Sequence, residues 1–254
     1  MSSVTFSIWL ITFLCVSVVE CIQNGEFISI LEAPYYASLV DQTRDGSCGA
    51  AILSDYWLVS AGHCVANGYE ELEVRTGATR NYSNGTIHTI ENVVIPKNYT
   101  FHFSKFTKDL VHVNDISLIK LKEPIKFDEY QQPIKLRSTP PKENDTVTIV
   151  GLGLERILNN PPSLKKTVQS VAATAPPFVP KPPGVFHLQN STSHFCPGDS
   201  GSPGVIDNKL AGIAVFVDEM CMDWSVSHNK KYPGALTRID IFYNWILNHT
   251  EINN

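Results

Sequence analysis

The sequence predicts an all-β fold of antiparallel barrels with a single helix at the C-terminus. Two observations predict it. Short runs of alternating apolar residues recur along most of the chain between Gly, Pro, Asn and Asp punctuation. A 3.6-residue apolar period, by contrast, emerges only over Arg238–Leu247. Many short strands with one terminal helix point to barrels rather than to α/β layers. The strand runs are, in order, Tyr36-Ala-Ser-Leu-Val, Gly49-Ala-Ala-Ile-Leu, Trp57-Leu-Val-Ser, Leu72-Glu-Val-Arg, Ile87-His-Thr-Ile, Val93-Val-Ile, Ile116-Ser-Leu-Ile-Lys-Leu and Val147-Thr-Ile-Val. In the terminal helix Ile241, Trp245 and Leu247–Asn248 fall on successive turns, with Phe242 and Ile246 beside them. The proline-dense stretch Ala175–Pro183 is extended and poor at sheet pairing. A chain of 254 residues is long enough for one large unit or two smaller barrels, each with a substantial core.

The opening residues read as a signal for export. Ile8–Val19 is an apolar run followed by Val19 and Cys21, small enough for the positions that precede a signal cleavage, so residues 1–21 are expected to leave and the mature chain to start at Ile22. The run is too short to span a bilayer. Removing Glu20, the one charged residue of that segment, takes the net charge from −5 to −4. Such a balance offers no polycation for nucleic acid or an anionic membrane. Four cysteines remain, Cys48, Cys64, Cys196 and Cys221, an even count that suits disulfides in an exported chain and allows three pairings. Six sequons, at Asn81, Asn84, Asn98, Asn144, Asn190 and Asn248, fit a secreted glycoprotein. No metal cluster, phosphate loop or nucleotide fingerprint is visible, so no cofactor is expected.

Chemistry concentrates in Cys196-Pro-Gly-Asp-Ser-Gly-Ser-Pro203. Glycines around a serine let the backbone approach a substrate and leave the amides of Gly198 and Ser200 to meet a developing oxyanion. A serine hydroxyl is a weak nucleophile that needs a base oriented by a carboxylate. Ser60-Ala-Gly-His-Cys64 supplies His63 as general base, and Asn114-Asp-Ile-Ser-Leu-Ile119 supplies Asp115 to accept the imidazole Nδ1–H. This order, His63, Asp115, Ser200, resembles that of the trypsin/chymotrypsin-like serine proteases.

The resemblance spans Ile22 to Asn248, with close motif matches around His63, Asp115 and Ser200. It implies two antiparallel six-stranded β-barrels with the active cleft between them, an N-terminal one over about 22–125 and a C-terminal one with the helix over about 126–250. It implies the pairings Cys48–Cys64 and Cys196–Cys221, and an ion pair between the Ile22 ammonium and Asp199. No basic residue precedes Ile22, so signal cleavage itself would create that terminus. The specificity pocket implied by the resemblance is formed by His194, Phe195, Val217 and Gly234. His194 stands at the pocket floor where trypsins carry Asp, which argues against trypsin-like specificity. Ser202 replaces the family's usual Gly, Val215 stands where a serine normally bonds the triad aspartate, and Gly151-Leu-Gly153 replaces the usual Gly-Trp-Gly.

The function expected is therefore a secreted serine endopeptidase, acting as a monomer on protein or peptide substrates and open to protein protease inhibitors, with no nucleic-acid or membrane partner. The alternative is a catalytically inactive homologue that serves as an extracellular protein-binding module. Its support is the altered pocket and Val215.

Overall fold

The computed structural model describes residues 22, 24–41, 46–79, 85–103, 110–153, 163–174, 183–189, 191–196, 198–216 and 234–252. The expected leader, the sequons at Asn81, Asn84 and Asn190, and the pocket and disulfide residues Val217 and Cys221 lie outside the described residues. Asn98, Asn144 and Asn248 lie within them and are exposed.

Six strands close the first barrel in the order β2-β3-β4-β9-β6-β5: β2 (Tyr36–Asp41), β3 (Gly46–Ile52), β4 (Trp57–Ser60), β5 (Leu72–Thr76), β6 (Thr86–Val94) and β9 (Ser117–Leu121). A two-stranded ribbon, β7 (Thr100–Phe103) with β8 (Leu110–Val113), leads directly into Asp115. Closure follows from alternation. Ala37, Leu39, Ala50, Ile52, Leu58, Val74, Ile90, Ile119 and Leu121 all turn into one apolar cluster.

The second sheet runs β1-β11-β10-β13-β14-β15-β12. It contains β10 (Thr146–Gly151), β11 (Lys165–Ser170), β12 (Val185–His187), β13 (Pro203–Ile206), β14 (Lys209–Phe216) and β15 (Ala235–Arg238). Its ends are joined by an antiparallel bridge, Val171 with Leu188. The seventh strand, β1 (Glu26–Phe27), comes from the N-terminal segment and adds to β11. A further apolar cluster joins the two halves, with Ala51, Val59, Ile116 and Leu118 from the first barrel against Leu210, Ile213, Ile239 and Ile246.

The one α-helix among the described residues, α1 (Ile239–Thr250), presents Ile239, Phe242, Ile246 and Thr250 inward. This differs from the face the sequence favoured: Ile241 is half exposed, because the residues three and four apart from Ile239 set the stripe that meets β14. No described helix is long and apolar enough to cross a membrane.

One buried polar chain crosses the first barrel. Thr76 Oγ1 donates to Gln131 Oε1 (2.5 Å), so the same oxygen must accept from His88 Nε2–H (2.8 Å). Burial lowers the His88 pKa below its ordinary 6.5. The unfolded chain then binds the proton more readily, so stability is lost as pH falls from about 6.5 toward that lowered value. Urea unfolding at about pH 7.5 and pH 5 is expected to show a smaller acid loss for His88→Gln than for the unmodified chain.

Candidate active site

His63 lies in a short 3₁₀ turn, Gly62–Cys64, directly after β4, and Asp115 lies between β8 and β9, the strand that pairs with β4. The pairing brings the two together although they are 52 residues apart. Asp115 Oδ2 lies 2.6 Å from His63 Nδ1, and Oδ1 accepts the His63 backbone N–H at 2.8 Å. An ionised carboxylate only accepts, so Nδ1 carries the ring proton and Nε2 is left basic. The aspartate is 1% exposed and the histidine is partly open to solvent.

Asp115 is held from behind by contacts that the sequence did not reveal. Thr237 of β15 donates its Oγ1 to the Asp115 carbonyl at 2.9 Å; close by, Ser117 ties the Asp115 segment to the His63 segment by donating to the Ala61 carbonyl at 2.9 Å. Nothing local marks Thr237, which is 122 residues away. Val215 sits in the bulge of β14 between Ala214 and Phe216 and packs on the central apolar cluster. Among the described residues both hydrogen bonds to the Asp115 carboxylate therefore come from His63.

Ser200 is tied to the same place through β3. Its carbonyl accepts the Gly49 N–H at 2.7 Å, and the neighbouring Cys48 is disulfide-bonded to Cys64, the residue after His63. Ser60 Oγ donates to the Gly49 carbonyl at 2.7 Å. Gly201 is required here: its φ is +81°, and a Cβ would lie 2.2 Å from both the Gly49 carbonyl and Ser60 Oγ. No hydrogen bond joins Ser200 Oγ to His63 among the described residues. In the loop itself the N–H groups of Asp199, Gly201 and Ser202 donate to Cys196, Ala214 and Asp199 carbonyls. Those of Gly198 and Ser200 have no acceptor among the described residues. Cys196 is also disulfide-bonded; its expected partner, Cys221, is one of the residues not described.

Asp199 is completely buried. Its Oδ2 accepts the Ile22 N–H at 3.2 Å and the Cys196 N–H at 2.9 Å. Burial raises its pKa from 3.8 to about 6, against the lowering effect of the Cys196, Ile22 and Gly153 amides and the Lys165 ammonium. Ile22 is itself buried, at a φ of +33° that a β-branched residue rarely adopts.

At the expected pocket, Phe195 is 2% exposed and His194 is half-buried. The Phe195 ring lies directly on Gly234: a Cβ there would come within 2.3 Å of the ring edge. Beside His63, the His112 ring stands with its centroid 5.1 Å away, and its Nδ1 is 2.8 Å from the Tyr99 hydroxyl. Burial, with the Asp115 charge, pushes the Tyr99 pKa up to about 12. The one grouping with metal-ligand character among the described residues is Cys48, His63 and Cys64. Its two sulfurs are joined to each other, so it does not fit a thiolate metal site.

Comparison with known proteins gives a consistent result. The Trypsin family model matches residues 22–246. Similar curated proteins include a trypsin of Phaedon cochleariae, 28% identical over 90% of this chain and 88% of its own length. Trypsin 5G1 of Aedes aegypti is 26% identical over 89% of this chain and 83% of its own. Among solved structures, the scabies mite inactivated protease paralogue S-D1 superposes with a TM-score of 0.71 at 18% identity, covering 91% of this chain and 97% of that one.

The raised Asp199 pKa sets a sign. Between about pH 4 and pH 6 the folded chain binds more protons than the unfolded one, so stability falls as pH rises through that window. The displacement corresponds to on the order of 3 kcal/mol. Asp199→Asn is expected to flatten this slope in denaturant titrations taken from about pH 4 to pH 7.

Proposed function

The chain belongs to the trypsin family, and on that premise we propose that it is a secreted serine endopeptidase working through His63, Asp115 and Ser200. Ser200 Oγ attacks the substrate carbonyl carbon while His63 Nε2 takes its proton. The Gly198 and Ser200 amides meet the negative charge that collects on the carbonyl oxygen. His63 then gives the proton to the leaving amine, and water, deprotonated in turn by His63, attacks the acyl-enzyme and releases the acid. The observation that carries this reading is the two-point hold of Asp115 on His63, at 2.6 and 2.8 Å, which fixes both the tautomer and the ring orientation a general base needs.

The N-terminal segment supports a switch within this reading. The Ile22 nitrogen already lies against Asp199 Oδ2. Cleavage before Ile22 turns that amide into an ammonium, which supplies the opposite charge a buried carboxylate requires. It also abolishes the strained φ, since a terminal residue has no preceding peptide.

The Phe195 ring packed on Gly234, with no carboxylate at His194, supports a pocket for small side chains rather than long or cationic ones. The substrate class is therefore proteins or peptides cut after small residues. The same packing, together with Val215 beside the triad, favours a second reading, a catalytically silent protein-binding homologue.

A fluorophosphonate probe separates the two. With the N-terminus confirmed as Ile22 by mass spectrometry, labelling of the unmodified chain and its complete loss in Ser200→Ala is the expected result; an unlabelled chain with that terminus supports the silent homologue. Phe195→Ala is expected to cost about 3–5 kcal/mol of stability as a core truncation and to shift cleavage of a peptide library toward larger residues.

A further inference from the structure

Ser202 stands where the family usually has no side chain. Its hydroxyl is fully buried, and Oγ has no hydrogen-bond partner. Asp199 Oδ1 is in the same position, buried and without a partner, while Oδ2 holds the Ile22 and Cys196 amides. Both unpaired oxygens face one point. A Cβ on Gly151 would lie 2.2 Å from Asp199 Oδ1 and 3.0 Å from Ser202 Oγ, so the two oxygens are at most 5.2 Å apart, the sum of these distances.

Their chemistry is complementary. A hydroxyl has one proton to donate, and an ionised carboxylate can only accept. Leaving either unpaired in the interior is destabilising, and more so for a charge. A serine χ1 has three staggered wells, and the hydroxyl is bordered by two glycines. Gly151 lies on the Asp199 side, and on the other is Gly49, where a Cβ would come within 2.3 Å of Oγ. The missing Cβ atoms leave Oγ room to turn between them.

We propose that Ser202 is a positioning residue for the Ser200 loop, its hydroxyl turning to donate to Asp199 Oδ1 when that carboxylate is ionised and releasing it when the carboxylate is protonated. Asp199 lies between Gly198 and Ser200, so a hold on its side chain is a hold on the two uncommitted amides. The catalytic consequence rests on the endopeptidase reading above; the contact itself does not. The other described groups that face Asp199 are the Ile22, Cys196 and Gly153 amides and the Lys165 ammonium from β11. All of them are the same in the parent and in a Ser202 variant, so the comparison isolates the hydroxyl.

The test is a double-mutant cycle read against pH. Unfolding equilibrium constants are measured in urea for the full chain and for Ser202→Ala, Asp199→Asn and the double variant, from about pH 4 to pH 8. A hydrogen bond to a charged group predicts that Ser202→Ala raises the unfolding constant by about tenfold or more at the alkaline end relative to the acid end. It also predicts that this pH dependence disappears in the Asp199→Asn background. Ser202→Gly, which restores the family's residue, is expected to show the same pH dependence and serves if the alanine variant does not fold. An equal effect of either substitution at both ends of the range, or one that persists with Asn at 199, overturns the proposal and makes Ser202 a packing residue only. In the fluorophosphonate assay the Ser202 variants are expected to label more slowly near neutral pH. If the parent does not label at all, the endopeptidase reading fails while the stability cycle still decides the contact.

Discussion

The structure depends on a carboxylate kept out of water. Asp199 is 0% exposed, and a charge so placed is unstable unless neighbours supply donors or an opposite charge. Its Oδ2 draws in the N-terminal segment at Ile22 and the Cys196 amide, and the segment continues into β1, the extra strand on β11. The segment from Ile22 to β1 is thereby fastened to the second sheet, while the next strand, β2, belongs to the first barrel. One buried carboxylate thus couples two things: how the Ile22 segment links the two halves, and the shape of the loop that carries Ser200.

Around this point, rigidity comes from short connections between elements distant in sequence. β3 lends its Gly49 amide to the Ser200 carbonyl and its Cys48 sulfur to Cys64 beside His63. β4 and β9 are neighbours in the barrel, which places His63 and Asp115 together. Thr237, from the other half, holds the Asp115 backbone. The apolar cluster between the halves, from Ala51 to Ile246, makes the seam a packed core rather than a hinge. A group of side chains assembled from both sides of such a seam is held in place by packing on either side.

The contact between Phe195 and Gly234 is of a different kind. Phe195 and Gly234 are matched in size, ring against bare α-carbon, so the ring takes the space that a side chain at 234 would occupy. Packing of this kind stabilises the second sheet's core, where Phe195 contacts the cluster containing Ile22, Leu188 and Leu236.

Residues that act through their neighbours in sequence were legible in the chain by itself. Alternating apolar runs identified most strands of the first barrel, because period-two burial is a local property. The motifs around His63, Asp115 and Ser200 carried the family, because each is a short contiguous run: Ala-Gly-His-Cys, Asn-Asp-Ile and Gly-Asp-Ser-Gly. Contacts that depend on register or on a missing atom could not be read that way. The inward face of α1 was set by β14, Thr237 reached Asp115 across 122 residues, and β1 joined a sheet whose other strands begin 120 residues later. The unpaired facing oxygens of Ser202 and Asp199 became visible only when Gly151 was placed between them. The sequence by itself determined which chemistry is present and which residue types carry it; tertiary structure alone decided which polar atoms are left without partners, because burial and pairing are properties of neighbours brought together by folding.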